Sequence, residues 1–252
     1  MPPLIFLHGW TMKGAVFDDL IARLGPGVVC AAPDLPGHAS AAAQPATLSA
    51  CVQALNQVLD RLAPRRPVLV GWSMGAAVAW RYCQLFGDTR LAGLVTVDMS
   101  PQIVPRAGWR HGLIGQSAQS IAATTRRFAR DWPGTVEGIA TTMFANRQGA
   151  PGFSRETARR VILSQDPDKM RALWADLVAM DARAAIADIQ VPYLVCSGAQ
   201  SRVYPASAAD WIARQAPQAR RLVFDHSGHS PHLEEPDAFA RAVTRFARGL
   251  AG

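Results

Sequence analysis

Six short apolar runs bounded by turn residues punctuate the sequence: Leu4 to Leu7, Val28 to Ala32, Val68 to Val70, Leu94 to Val97, Tyr193 to Cys196 and Arg221 to Phe224. They are nearly continuous rather than alternating, the pattern of strands buried on both faces of a parallel sheet. Between most of them lie helical patterns, at Val16 to Leu24, Leu48 to Leu62, Ala76 to Phe86, Ala206 to Gln215 and Pro236 to Leu250. Strand and helix alternating in this way predict a doubly wound α/β architecture. The alternation breaks once, after the fourth run. Four amphipathic patterns follow there, Ser117 to Asp131, Thr135 to Asn146, Ser154 to Ser164 and Pro167 to Met180, before the fifth run begins. Each carries its own apolar face, so the stretch reads as a helical insertion and not as a linker. The expected organisation is a core of residues 1–100 and 186–252, with residues 101–185 forming a helical cap. Leaving the sheet at the carboxyl ends of the strands, such a cap lies where ligands bind in open α/β folds.

Composition removes several classes. With 252 residues, 49% hydrophobic and 18% charged, the chain can bury a large core, which excludes disorder and a small disulfide scaffold. Its apolar runs fall far short of the ~20 residues that cross a bilayer, so no membrane partner is expected. Met1 to Gly9 lacks a basic segment and a small-residue cleavage site, and reads as a strand and a turn rather than a signal peptide. Cys30, Cys51, Cys83 and Cys196 are scattered without metal-ligand spacing; no metal and a reducing, cytoplasmic location are the expectation. The net charge is +7, with 12 basic and 7 acidic residues between positions 101 and 185. No nucleic-acid module or basic-aromatic interleaving accompanies that excess, so no nucleic-acid partner is expected. Neither a dinucleotide fingerprint nor a P-loop is present, and the chemistry is expected to need no cofactor.

The run Val68-Leu69-Val70 leads into Gly71-Trp72-Ser73-Met74-Gly75 and then a helix beginning near Ala76. This is G-x-S-x-G in a strand-turn-helix context. The glycines are needed because the turn is sharp and flanking side chains would collide with neighbouring backbone. The turn lifts the Ser73 hydroxyl above the sheet edge at a helix N-terminus, where backbone N–H groups favour developing negative charge. Ser73 is therefore the candidate nucleophile. A serine hydroxyl needs an imidazole to take its proton. Of six histidines, His229 fits best, following the last strand and flanked by Gly228. His226 and His232 read as solvated loop residues, His8 and His38 as hydrogen-bonding within their own loops, and His111 has no supporting pattern.

On these residues the chain resembles the α/β-hydrolase family along nearly its whole length. His8-Gly9-Trp10 resembles the family's oxyanion loop, Pro33-Asp34-Leu35-Pro36-Gly37-His38 its loop after the next strand, and Ser227 to Pro236 its catalytic-histidine loop. The resemblance implies an α/β-hydrolase fold with a sheet of about six strands flanked by helices. Family members usually carry a strand pair ahead of the His-Gly loop, and here the chain begins almost at that loop, so the sheet is expected to be short and wholly parallel. It also implies oxyanion donors from the backbone of Trp10 and Met74. The side chains of Trp10 and Trp72 flank the site and read either as a flat wall for substrate or as core packing.

One departure concerns the acid that orients the base. In the segment Ser197-Gly198-Ala199-Gln200-Ser201-Arg202-Val203-Tyr204-Pro205 the family's usual acid position falls on Ser201, which has no carboxylate. Asp98, at the end of the preceding strand, projects from the same sheet edge and is the expected acid. The competing readings are Asp225 and a Ser73–His229 dyad oriented by Ser201.

The leading expectation is a serine carboxylesterase acting on a small-molecule acyl ester through an acyl-enzyme intermediate. Within the family, the Leu-His-Gly-Trp and Val-Gly-Trp-Ser-Met-Gly segments resemble carboxylesterases of acyl-carrier-protein methyl esters, whose lid arginines hold the acidic carrier protein. Arg126, Arg127 and Arg130 on one expected helix, and Arg155, Arg159 and Arg160 on another, read as such a surface or as solvated helix faces. Lactonase, thioesterase, perhydrolase or acyltransferase chemistry on the same site remains an alternative, as does a non-catalytic binding module lacking a working acid.

Overall fold

The computed structural model describes residues 1–128 and 130–250. Its strands are β1 (Leu4–Leu7), β2 (Cys30–Ala31), β3 (Val68–Trp72), β4 (Gly93–Val97), β5 (Gly149–Ala150), β6 (Phe153–Ser154), β7 (Tyr193–Gly198) and β8 (Ala219–Phe224). The helices of the first half are α1 (Asp18–Leu24), α2 (Leu48–Leu62), α3 (Met74–Phe86), α4 (Ala118–Phe128) and α5 (Trp132–Thr142). Those of the second half are α6 (Arg155–Leu163), α7 (Pro167–Ala179), α8 (Arg183–Ala187), α9 (Ala206–Gln215), α10 (Pro231–Glu234) and α11 (Pro236–Arg248). Six strands form one sheet in the order β2-β1-β3-β4-β7-β8, every pairing parallel, as expected.

The continuous apolar runs have the environment that they imply. Every residue of β1, β3 and β4 is buried, because helices cover both faces. Helix α2 starts at Thr47, whose hydroxyl accepts from the Ala50 N–H at 3.1 Å, and turns Leu48, Cys51, Val52, Leu55 and Leu59 inward at three- and four-residue spacing. The same spacing buries Phe239, Ala240, Val243, Phe246 and Ala247 on α11. Helix α1 packs against α11, α2 against α3, and α8 against both α3 and α9. From β1 the chain winds outward to β2 and then returns across β1 to β3. Winding direction therefore reverses between β1 and β3, and the crevice at such a switch point is where open α/β sheets bind ligands.

The insertion between β4 and β7 differs from expectation at one junction. Asp131 belongs to the start of α5 and not to the end of α4: its carboxylate accepts from the Gly134 N–H at 2.8 Å, and Pro133 sits in the first turn. Asp-Trp-Pro is an N-cap followed by a proline pre-set for the first turn, a signal that outweighs the run of helical periodicity. Helix α4 accordingly ends at Phe128, and Arg130 lies beyond it; residue 129, within the expected helix, is outside the described residues. The β5–β6 hairpin and the short helices α8 and α10 were not anticipated. Trp10 joins the insertion to the sheet edge, stacking on Phe128 at 5.4 Å and Trp174 at 5.0 Å between ring centroids, while its indole N–H donates to the Met170 carbonyl at 2.9 Å. Among the described residues no helix is long and apolar enough to cross a membrane.

One buried polar chain crosses the core. The Trp80 indole N–H donates to the Tyr193 hydroxyl at 2.8 Å, and that hydroxyl shares a hydrogen with Thr96 Oγ1 at 2.7 Å, linking α3, β7 and β4. Burial pushes the Tyr193 phenol well above its ordinary value, so it remains a neutral link. Replacing Tyr193 by Phe keeps the ring and strands two buried polar groups. The expected cost is about 2 to 4 kcal/mol in unfolding free energy, read from urea denaturation; an unchanged midpoint would show that Trp80 and Thr96 find other partners.

Candidate active site

Ser73 connects β3 to α3 with φ +52° and ψ −118°, a conformation that L-residues adopt only under constraint. Neighbours hold it there. Its N–H donates to the Val97 carbonyl at 3.0 Å and its own carbonyl accepts from the Ala76 N–H at 2.8 Å. The two motif glycines are required sterically: a Cβ on Gly71 would lie 2.5 Å from the Gly75 carbonyl oxygen, and one on Gly75 would fall on the Leu7 carbonyl. Met74 is the first residue of α3, so its N–H has no intrahelical acceptor. The loop after β1 runs alongside, with the Cβ position of Gly9 only 3.4 Å from Ser73 Cβ. Gly9, Trp10, Ser73 and His229 line one cavity of about 340 Å³.

His229 follows β8 and is buried. Its Nδ1 lies 2.7 Å from Asp98 Oδ2. Asp98 follows β4 with φ +43°, is only 4% exposed, and its N–H donates to the Cys196 carbonyl at 2.9 Å. Ser201, after β7, donates its hydroxyl to the same Asp98 Oδ2 at 2.7 Å. Thus Asp98 and not Asp225 meets the imidazole; Asp225 is exposed.

The remaining histidines act structurally. The Leu35 N–H donates to His8 Nε2 at 2.9 Å, which places the His8 hydrogen on Nδ1, facing the Gly9 carbonyl at 2.9 Å. His38 Nδ1 faces the Leu35 and Pro36 carbonyls at 3.3 and 3.2 Å. His38 thus bonds within its own loop, as expected, whereas His8 reaches across and ties its loop to the one that carries Leu35 and His38, the two ring centroids lying 4.8 Å apart. His226 is exposed, as expected, but His232 is not a solvated loop residue: it lies in α10, 1% exposed, because its ring packs against those of Trp72 and Phe17. His111 meets the Ser207 hydroxyl at 2.8 Å.

Other contributors carry no sequence signal. Glu234 on α10 accepts from the N–H groups of Gly228 at 2.8 Å, Ser230 at 3.2 Å and Ala145 at 2.6 Å, fastening the histidine loop to the insertion. Burial raises its carboxyl above the usual range against the opposing pull of those donors. The Ser230 hydroxyl donates to the Met143 carbonyl at 2.8 Å, and Arg202 donates to the carbonyls of Thr141 and Phe144. Of the two tryptophans, Trp72 is 2% exposed, lines the cavity and donates its indole N–H to the His229 carbonyl at 2.8 Å. Trp10 forms a cavity wall with Phe128, Trp174, Ile121, Ile139 and Leu177.

The arginines separate into two groups. Arg155 and Arg159 both reach Glu137 on α5, Arg155 at 3.8 Å, and Arg159 also faces Glu156 at 3.6 Å. Arg127 is held by Asp131 at 2.6 Å. Arg126 and Arg130, with Arg171, line a groove beside α4 and α7, where Arg171 pairs with Asp168 at 3.0 Å.

A parallel sheet with a serine on a strained strand-to-helix turn, a histidine after the last strand and a carboxylate between them is the arrangement of the hydrolases that share this fold. The chain belongs to the alpha/beta hydrolase family, whose model matches residues 4–242. It is 32% identical over 243 residues to the pimeloyl-(acyl-carrier protein) methyl ester esterase of Nitrosomonas europaea, covering 94% of this chain and 92% of that protein. A second relative of the same description, from Aromatoleum aromaticum, is 31% identical over 260 residues, covering 98% of this chain and 99% of that one. Among solved structures, an esterase from Exiguobacterium antarcticum superposes with a TM-score of 0.89 at 21% identity, over 98% of this chain and 92% of that chain, and shares the fold.

Burial, reinforced by neighbouring histidines, pulls His8 and His232 down to about 3, and burial pulls His38 down to about 4. In the unfolded chain each protonates near 6.5. The unfolded state therefore binds more protons below that value, and stability present above it is lost as pH falls toward about 4. Each contributes a slope of up to about 1.4 kcal/mol per pH unit. Unfolding midpoints measured from about pH 7 to about pH 4 are expected to fall steeply, and His232→Phe to remove about a third of the slope; a flat profile would contradict burial of the neutral rings.

Proposed function

We propose that the protein is a serine carboxylesterase working through an acyl-enzyme. The observation that carries this reading is the 2.7 Å contact from Asp98 to Nδ1 of His229, an imidazole that lines the same cavity as Ser73. With Nδ1 committed to Asp98, Nε2 is the ring nitrogen left to take the Ser73 proton. Ser73 Oγ attacks the ester carbonyl, and the resulting oxyanion is bound by the N–H groups of Trp10 and Met74, each contributing on the order of 2.7 to 4 kcal/mol to the transition state. His229 returns the proton to the leaving alcohol. Water then attacks the acyl-enzyme by the same route, and the carboxylic acid leaves. Asp98 orients the imidazole and stabilises its charged form throughout.

Residues 1–100 and 186–252 form the core that carries this machinery, and residues 101–185 the cap that walls the acyl site and excludes water. The proposed substrate is an acyl-carrier-protein methyl ester, the substrate named for the relatives from Nitrosomonas europaea and Aromatoleum aromaticum. The basic groove at Arg126, Arg130 and Arg171 supports docking of an acidic carrier protein. Arg155 and Arg159, already paired with Glu137, contribute at most the edge of that surface. The four cysteines, all free, fit the reducing cytoplasm.

Ser73→Ala is expected to abolish hydrolysis of p-nitrophenyl esters and labelling by a fluorophosphonate probe, and Asp98→Asn to lower kcat by about three to four orders of magnitude. Near-wild-type turnover in Asp98→Asn would remove Asp98 from the mechanism. Comparing short esters with lactones and thioesters separates the related acyl-transfer activities.

For the carrier protein, the rate on its methyl ester is expected to fall with added salt and with joint reversal of Arg126 and Arg130 to Glu, the small-ester rate staying constant. A salt-independent rate unaffected by that reversal would sink the docking assignment.

A further inference from the structure

At the end of β7, where the family resemblance anticipates an acid, the chain has a hydroxyl in contact with the acid supplied by β4. Ser201 Oγ lies 2.7 Å from Asp98 Oδ2, the oxygen that also faces His229 Nδ1 at 2.7 Å. The direction of this bond is determined, because a carboxylate can only accept. The hydroxyl oxygen in turn accepts from the N–H groups of Val203 at 3.2 Å and Tyr204 at 3.3 Å. Its lone pairs are thereby engaged, and its one hydrogen is aimed at Asp98. Donation into the oxygen polarises the O–H and strengthens the bond that it makes.

The platform beneath this hydroxyl is rigid. Gln200 N–H donates to the Ser227 carbonyl at 2.9 Å and Ser201 N–H to the Gly198 carbonyl at 3.3 Å, while Arg202 grips the carbonyls of Thr141 and Phe144. Asp98 itself follows a strand end in a positive-φ conformation, and a single hydrogen bond, to the His229 imidazole, leaves its side-chain rotation open. A second donor on the same oxygen closes that freedom.

We propose that Ser201 is a positioning residue, whose hydroxyl clamps Asp98 Oδ2 onto His229 Nδ1 and so takes the place of the carboxylate absent from its own position. The proposal rests on the reading of Asp98 as the orienting acid. It assigns Ser201 no contact with substrate; its effect on turnover passes through Asp98.

The test is a kinetic double-mutant cycle on the full chain with a p-nitrophenyl ester. Ser201→Ala is expected to lower kcat about ten-fold with KM unchanged, the scale of one lost positioning hydrogen bond. In an Asp98→Asn background, the same substitution is expected to cost less than about two-fold, because the group through which it acts has already been disabled. A merely structural loop role predicts the same cost in both backgrounds and a change in KM. Equal costs, or an unchanged kcat in Ser201→Ala, overturn the proposal while leaving Asp98 in place. A near-wild-type Asp98→Asn enzyme instead overturns the acid assignment beneath it.

Discussion

A carboxylate moved out of water without partners costs several kcal/mol and tends to neutralise instead. Asp98 is 4% exposed and meets two donors, the imidazole of His229 and the hydroxyl of Ser201, on one oxygen. Those donors come from the loops after β8 and β7, so satisfying this charge draws three neighbouring strand ends together. A parallel sheet makes that possible because all its strands end on one edge. Ser73 arrives on the same edge from β3 and the loop carrying Gly9 and Trp10 from β1, the two strands between which the winding reverses and space opens.

Close approach of backbones is the second requirement, and glycine supplies it. Gly75 sits against the Leu7 carbonyl and brings α3 onto β1; Gly198 and Gly228 let the β7 and β8 loops touch, a Cβ on Gly198 falling on the Gly228 carbonyl. A Cβ on Gly228 would lie 2.5 Å from the Ala145 nitrogen, so the base loop also sits directly against the insertion. Small residues here are geometric necessities, since none of these contacts leaves room for a methyl group.

Legibility in the sequence followed the range of the interaction. Strands and most helices were readable because periodicity is local: α2 and α9 match the expected limits to the residue. Ser73 and His229 were readable because strained turns and glycine flanks leave a motif. Asp98 carried no motif of its own and was named from its place at a strand end on the same sheet edge, since which strand end meets the imidazole depends on sheet order. The Ser201 bond, the three contacts of Glu234 and the grip of Arg202 join segments far apart along the chain, and nothing in composition or spacing marks them. The pairing of Arg155 and Arg159 with Glu137 was hidden for the same reason. Helical spacing shows which side chains share a face and is silent about what faces them. At Asp131, by contrast, the cap signal was present in the sequence and lost to the stronger impression of continuous periodicity.

The turn from Thr141 to Ala145 receives Arg202, Glu234 and Ser230 at once. This gives the insertion one anchored end, shared with the loop that carries His229. Ile121 and Phe128 on α4 and Leu177 on α7 line the cavity of Ser73 and His229 without taking part in those bonds. A change that loosens this anchor would therefore be felt on two sides at once, in the cavity wall at Thr142 and Met143 and in the loop that holds His229.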